Sequence, residues 1–150
     1  GDILHDYTGG CEVYYNRPTK GDGVYHPAGD FIEVAPPTLY KTPQNFYSTL
    51  FHEMIHATSH KSRLNRKIGG MYGSSDYAKE ELIAEFGASL LMTFTDSGIG
   101  QTFENSTSYM SGWASRIAEE GGDFSKLLSQ AIPKSIKAVE FILNNGEEAA

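Results

Sequence analysis

An α+β fold is predicted for this chain of 150 residues: a small antiparallel sheet in the N-terminal third, packed on the first of four helices. Three observations predict it. The opening third is rich in Gly, Pro, Tyr and β-branched residues and is cut by turn dipeptides. From Thr42 onward, apolar residues recur every three or four positions, the period of a helix. The length, with 39% apolar and 21% charged residues, suits one globular domain able to bury a core.

Val13-Tyr14-Tyr15, Val24-Tyr25-His26 and Phe31-Ile32-Glu33-Val34 read as three short strands. Pro18 to Gly23 and Pro27-Ala28-Gly29-Asp30 supply the turns between them, which makes the sheet a meander. Pro36-Pro37 ends the last strand, because proline offers no N–H to a ladder. Thr42 is then an N-cap with Pro43 at the first helical position. Phe46, Leu50, Met54 and Ala57 carry this helix to about His60. Ser62 to Ser75 is polar and Gly-rich, hence a loop. The second helix opens near Ser75-Asp76 and passes Leu82, Glu85, Ala88 and Leu91 before ending near Phe94, ahead of Gly98 and Gly100. Two amphipathic helices follow, roughly Ser106–Glu119 and Asp123–Leu143, split by Gly121-Gly122. Tyr109, Trp113 and Ile117 share a helix face and are expected in the core, and Pro133 is expected to kink the last helix.

Several function classes are excluded at this level. No apolar run approaches the ~18 residues of a membrane span, and no basic stretch followed by an apolar one opens the chain as a secretory signal would. The single cysteine, Cys11, excludes an intrachain disulfide and a cysteine-based zinc cluster, and reads as a small, partly buried side chain. Twelve Lys and Arg against nineteen Asp and Glu give a net charge of −7, without the basic footprint of a stand-alone nucleic-acid binder. Lys61-Ser62-Arg63-Leu64-Asn65-Arg66-Lys67 carries four of the cations and reads as a solvated loop after the helix.

The chemistry concentrates in His52-Glu53-Met54-Ile55-His56. Residues four apart on a helix share a face, about 6 Å apart along the axis, so two imidazoles so placed can converge on one zinc ion at ~2.0–2.1 Å. Glu53 is rotated to one side of the pair, where its carboxylate can take a proton from an attacking water. A third protein ligand is required. His60 continues the ladder but lies ~12 Å along the axis from His52, too far for one ion, and is expected to cap the helix C-terminus. The second helix offers Glu81 and Glu85, four apart on one face. One can ligate the metal while the other accepts the free N–H of a ligand histidine. Glu80 points about 100° away and reads as a first-turn charge favouring the helix dipole.

His52-Glu53-x-x-His56 followed by Glu81-x-x-Ala84-Glu85 resembles the glutamate-ligand zincins. The wider string is similar more narrowly: Tyr25-His26-Pro27-Ala28-Gly29-Asp30-Phe31-Ile32, Leu50-Phe51 before the motif, His60-Lys61-Ser62-Arg63-Leu64-Asn65-Arg66 after it, then Tyr72-Gly73-Ser74 and Tyr77-Ala78-x-Glu80-Glu81-Leu82. It resembles the C-terminal zincin-like metallopeptidase domain of ArdC/TraC-type anti-restriction proteins and of polyvalent proteins of phages and conjugative elements, from about Val24 to Leu91. The resemblance implies one zinc-dependent metallopeptidase domain over residues 1–150, the C-terminal part of a longer protein of the bacterial cytoplasm that protects incoming DNA. It implies His52, His56 and Glu81 as ligands of one Zn²⁺ per chain, Glu53 as general base and Glu85 behind a ligand histidine. Single-stranded DNA would be bound by a separate N-terminal domain rather than by this one.

The function expected is hydrolysis of a peptide or protein substrate, with Glu53 passing its proton to the leaving amine. Phe31-Ile32-Glu33-Val34 is a candidate edge strand on which an extended substrate could pair. Tyr72, Tyr77, Tyr109 and His60 are candidate oxyanion donors that the sequence does not rank. The competing reading is a metal-stabilised, non-catalytic module that binds a partner within a DNA-protecting protein.

Overall fold

The computed structural model describes residues 10–18, 21–67, 75–95, 115 and 123–144. The predicted helix over Ser106–Glu119, with Tyr109, Trp113 and Ile117, lies outside the described residues apart from Ser115, and so does Tyr72.

The sheet has strands β1 (Glu12–Tyr14), β2 (Gly23–His26) and β3 (Phe31–Val34). β2 and β3 form the predicted antiparallel hairpin, in a register that pairs His26 with Phe31 and Gly23 with Val34. The intervening turn closes on Asp30 at φ 53°, a left-handed conformation that Asp tolerates through local hydrogen bonds. There Tyr25 donates its hydroxyl to Asp30 Oδ1 at 2.8 Å, and the Arg63 guanidinium donates to the same oxygen.

The predicted meander is corrected. β1 runs parallel to β3, pairing Val13 with Ile32, and the order is β1-β3-β2, a mixed sheet. The chain from Tyr15 to Asp22 is too long for a tight hairpin turn, and β2 itself serves as the crossover that a parallel pair requires. β3 is therefore the central strand, paired on both sides, which removes it as an edge for substrate addition. Its alternate residues Ile32 and Val34 are buried, which is why it takes the middle.

Helix α1 (Pro43–Ala57) follows a 3-10 turn over Pro37–Leu39. Thr42 caps it as predicted, its side chain accepting from the Asn45 N–H at 3.1 Å. The helix ends at Ala57 rather than near His60, because side chains take its last carbonyls. Thr58 Oγ1 donates to Ile55 O and Ser59 Oγ to His56 O, both at 2.6 Å. Arg63 Nε reaches Ala57 O at 2.8 Å and Arg66 Nη2 reaches Ile55 O at 2.9 Å.

Helix α2 (Ser75–Phe94) packs between α1 and helix α3 (Phe124–Leu143). The core is one cluster: Leu50, Met54 and Ile55 of α1 meet Leu82, Ile83, Leu91 and Met92 of α2, and Ala131, Ala138, Val139 and Ile142 close it from α3. Asp123 caps α3 by accepting from the Lys126 N–H at 3.2 Å, and Pro133 lies inside a helix that runs on to Leu143. Buried Ser135 donates to Ile83 O at 3.0 Å, which fixes α3 against α2. Cys11 packs half-buried beside the core, and burial pushes its thiol up to about 11, so it is an unreactive thiol. Among the described residues, no helix is long and apolar enough to cross a membrane.

Two glycines set the approach of these layers. A Cβ at Gly87 would sit 2.6 Å from Ile55 Cδ1, so α1 and α2 close to a distance that only glycine permits. A Cβ at Gly23 would sit 2.7 Å from Thr49 Cγ2, so the start of β2 lies directly against α1.

Candidate metal centre

The Gly87–Ile55 contact brings the motif face of α1 onto the acidic face of α2. His52 and His56, one turn apart, present their Nε2 atoms to each other at 3.2 Å. Glu81 straddles the pair, with Oε2 3.1 Å from His52 Nε2 and Oε1 3.3 Å from His56 Nε2. One ligand atom from each of the three lies within 4.8 Å of the others, and they are the His/Cys/Asp/Glu group of metal-binding geometry among the described residues. Ligand atoms on a tetrahedral ion with bonds of ~2.0–2.1 Å stand about 3.3–3.4 Å apart. The 3.2 Å between the two imidazoles fits that edge. Two imidazoles and one carboxylate also form the donor set of a catalytic zinc site, with a fourth position left for water or substrate.

Each imidazole has a carboxylate behind it. Glu85 Oε2 lies 3.3 Å from His52 Nδ1, the position foreseen for one of the Glu81/Glu85 pair. Behind His56 stands Glu80, with Oε1 3.6 Å from Nδ1. That is an ion-pair distance, too long for a hydrogen bond, and Nδ1 is otherwise a buried nitrogen with no hydrogen-bond partner among the described residues. Arg66 pins the Glu80 carboxylate from two sides, Nη2 to Oε1 at 2.8 Å and Nε to Oε2 at 3.2 Å, and anchors its own Nη1 on Thr58 Oγ1 at 2.7 Å.

This corrects two expectations. Glu80 is not a first-turn charge serving the helix dipole: it lies beyond the first turn of α2, is 5% exposed and is paired with Arg66. Nor is the 61–67 segment a solvated basic loop, since Arg63 and Arg66 turn inward to tie the end of α1 to Asp30 and to α2. Glu80 was findable: with Ala84, Ala88 and Leu91 it forms a row at helical spacing whose other members are all buried. Arg66, the countercharge such a buried carboxylate needs, is marked by no local pattern.

The electrostatics follow from this enclosure. Burial disfavours charge on the imidazoles, but the adjacent carboxylates overcome it. Glu81 and Glu85 raise His52 to about 9, and Glu80 and Glu81 raise His56 to about 10. Burial likewise opposes the Glu81 charge, and the two imidazoles hold it far below the usual carboxylate range. The two imidazoles and the carboxylates round them form one buried ion network.

Glu53 is buried on α1 beside the histidines, its Cγ against the Gly23 backbone, and its charge acts on both imidazoles. His60 turns away from the ligand group, its Nδ1 2.7 Å from Ser62 Oγ and its Nε2 4.0 Å from Asp30 Oδ2. It does not cap α1, since Thr58, Ser59, Arg63 and Arg66 do. Tyr77 packs half-buried on α2, one turn before Glu81. Tyr72 and Tyr109 fall outside the described residues.

The sequence pattern of the family described as zincin-like metallopeptidase matches residues 13–125. The chain is 34% identical over 96 residues to the DNA primase TraC of Escherichia coli, a match that covers 64% of this chain and 9% of that protein. It superposes on the crystal structure of the antirestriction protein ArdC from plasmid R388 with Mn(II) bound, at a TM-score of 0.67 and 26% identity. That match covers 96% of this chain and 50% of ArdC. The metal-free ArdC structure gives 0.66 and 27%, over 97% of this chain and 49% of ArdC. The chain thus spans half of the ArdC chain and a small part of TraC. The family pattern covers most of the chain, and the chain belongs to the zincin-like metallopeptidase family.

Proposed function

We propose that this domain is a zinc metallopeptidase, one ion per chain, acting within an ArdC-like protein that protects DNA from restriction. The observation that carries the reading is the convergence of His52, His56 and Glu81 beside a buried Glu53. Zinc at that position supplies a Lewis acid for the scissile carbonyl and acidifies water. The chain's own residues do the rest. Glu81 offsets the cation's charge from between the two imidazoles. Glu85 holds the His52 ring through Nδ1, and Arg66 holds the Glu80 carboxylate facing His56. Glu53 takes the proton from the attacking water and returns it to the leaving amine. The substrate is a peptide or protein, and contact with single-stranded DNA belongs to another part of the protein.

The test is cleavage of a mixed peptide library by the zinc-loaded chain and by Glu53→Gln at equal metal content. Cleavage that falls by at least about 100-fold in Glu53→Gln, with its metal retained, supports the assignment. Full DNA protection in cells by Glu53→Gln would transfer the function to non-catalytic partner binding.

A further inference from the structure

A cavity of about 630 Å³ opens between the 64–67 segment, α2 and α3. Its size falls in the range of small-molecule sites, roughly 300–1,000 Å³. Four lysines line it from three separate segments: Lys67 after α1, Lys79 on α2, and Lys134 and Lys137 on α3. In a chain of net charge −7, this gathers a third of the twelve cations round one hollow.

Among the described residues the gathering is not balanced. Glu80 also lines the cavity, but Arg66 neutralises it at 2.8 Å. Asp76 is the other acid among the described lining residues, which leaves three positive charges uncompensated among them. Among the described residues, no carboxylate comes within ion-pair distance of the four lysines. Lys134 and Lys137 stand three apart on α3, a like-charged helical pair that costs stability unless an anion sits between them. Asn65, Leu64 and Ile83 complete the described lining; Leu64 and Ile83 give it an apolar part, and Ser135 ties α3 to α2 there through Ile83 O.

We propose that this cavity binds a small phosphorylated molecule carrying two or more negative charges beside an apolar or aromatic part, the chemistry of a nucleoside diphosphate. Lysine ammoniums suit phosphate as point charges, and one carboxylate would satisfy one of the three excess charges. The apolar wall takes the uncharged part of the ligand. This site stands apart from the three ligand atoms of the metal centre and does not depend on the peptidase reading.

The test is calorimetric titration at low ionic strength, without divalent cations, using ADP, pyrophosphate, adenosine and citrate as probes. Glu81→Ala is titrated in parallel, to remove any contribution from the metal centre. Expected are saturable ADP and pyrophosphate binding that weakens as salt is added, and no binding of adenosine. The Lys134→Gln/Lys137→Gln variant should bind at least about tenfold more weakly, and Asp76→Asn several-fold more tightly. Both lysines are exposed, and a native circular dichroism spectrum checks that the variant folds. No binding of ADP or pyrophosphate at ~1 mM would overturn the proposal, as would binding unaffected by the lysine changes or lost in Glu81→Ala. Citrate binding as tightly as ADP would overturn the phosphate assignment.

Discussion

Gly87→Ala is the sharpest probe of how the metal centre is assembled, because two opposing terms can be worked from the structure. In a helix interior the change favours folding by about 1 kcal/mol. Against this, the new Cβ would lie 2.6 Å from Ile55 Cδ1 and 2.8 Å from Cγ1. Ile55 is fully buried and β-branched, so it has no alternative rotamer to move into. Overpacking of this kind costs about 1–3 kcal/mol, so the net effect is a destabilisation of about 0–2 kcal/mol, or roughly 2–4 °C in Tm per kcal/mol at this size. The background decides the cause. Ile55→Ala alone costs about 2–5 kcal/mol, but it removes the three atoms nearest to the new Cβ. Gly87→Ala added to it should therefore stabilise by about 1 kcal/mol, a reversal of sign that a double-mutant cycle in urea reads directly. Gly87 lies two residues beyond Glu85, and Ile55 immediately precedes His56, so the single variant should also weaken metal binding by at least about tenfold. Stabilisation by Gly87→Ala in both backgrounds, with metal affinity unchanged, would refute the claim that this contact sets the ligand spacing.

Three further outcomes follow from the same network. Arg66→Leu leaves Glu80 buried without its hydrogen-bonded countercharge and should cost about 3–5 kcal/mol in urea unfolding, most of it recovered in Arg66→Leu/Glu80→Leu. Thr42→Ala removes the acceptor for the Asn45 N–H and should cost about 1 kcal/mol by the same measurement. In the metal-free protein, His52 and His56 are raised from 6.5 to about 9 and about 10, so their contribution to stability is complete below about pH 6.5 and is lost as pH rises through 9 to 10. Glu81 is lowered, so its share holds above the ordinary carboxylate value and fades only in strong acid. Urea midpoints of the metal-free chain should thus fall from pH 6 to pH 10, and a midpoint that rises over that interval would contradict the network.

The helices were legible because their signals are local. Thr42-Pro43 and Asp123 mark the starts of α1 and α3, and the apolar spacing of each helix matches the face it buries. The gathering of the candidate ligands was legible for the same reason, since i, i+4 spacing puts His52 with His56, and Glu81 with Glu85, on single faces. Strand order was not, because β1 pairs with β3 across an intervening strand and no turn residue encodes that partner. The end of α1 was missed because its stop lies in side chains that fold back, Thr58, Ser59, Arg63 and Arg66, rather than in a Gly or Pro. Glu80 was read as a helix-dipole charge and Arg66 as part of a solvated loop because a buried ion pair is visible only once both partners are placed, and these come from different segments.

The central claim is that His52, His56 and Glu81 together bind one metal ion, with Glu85 behind His52. Its most direct test is metal content per chain after zinc loading and desalting, for wild type, Glu81→Ala and Glu85→Ala. The account predicts about one zinc per chain in wild type, near-complete loss in Glu81→Ala, and weaker but still stoichiometric binding in Glu85→Ala. Wild type that takes up no zinc, or Glu81→Ala that holds a full equivalent while Glu85→Ala loses it, would contradict the assignment.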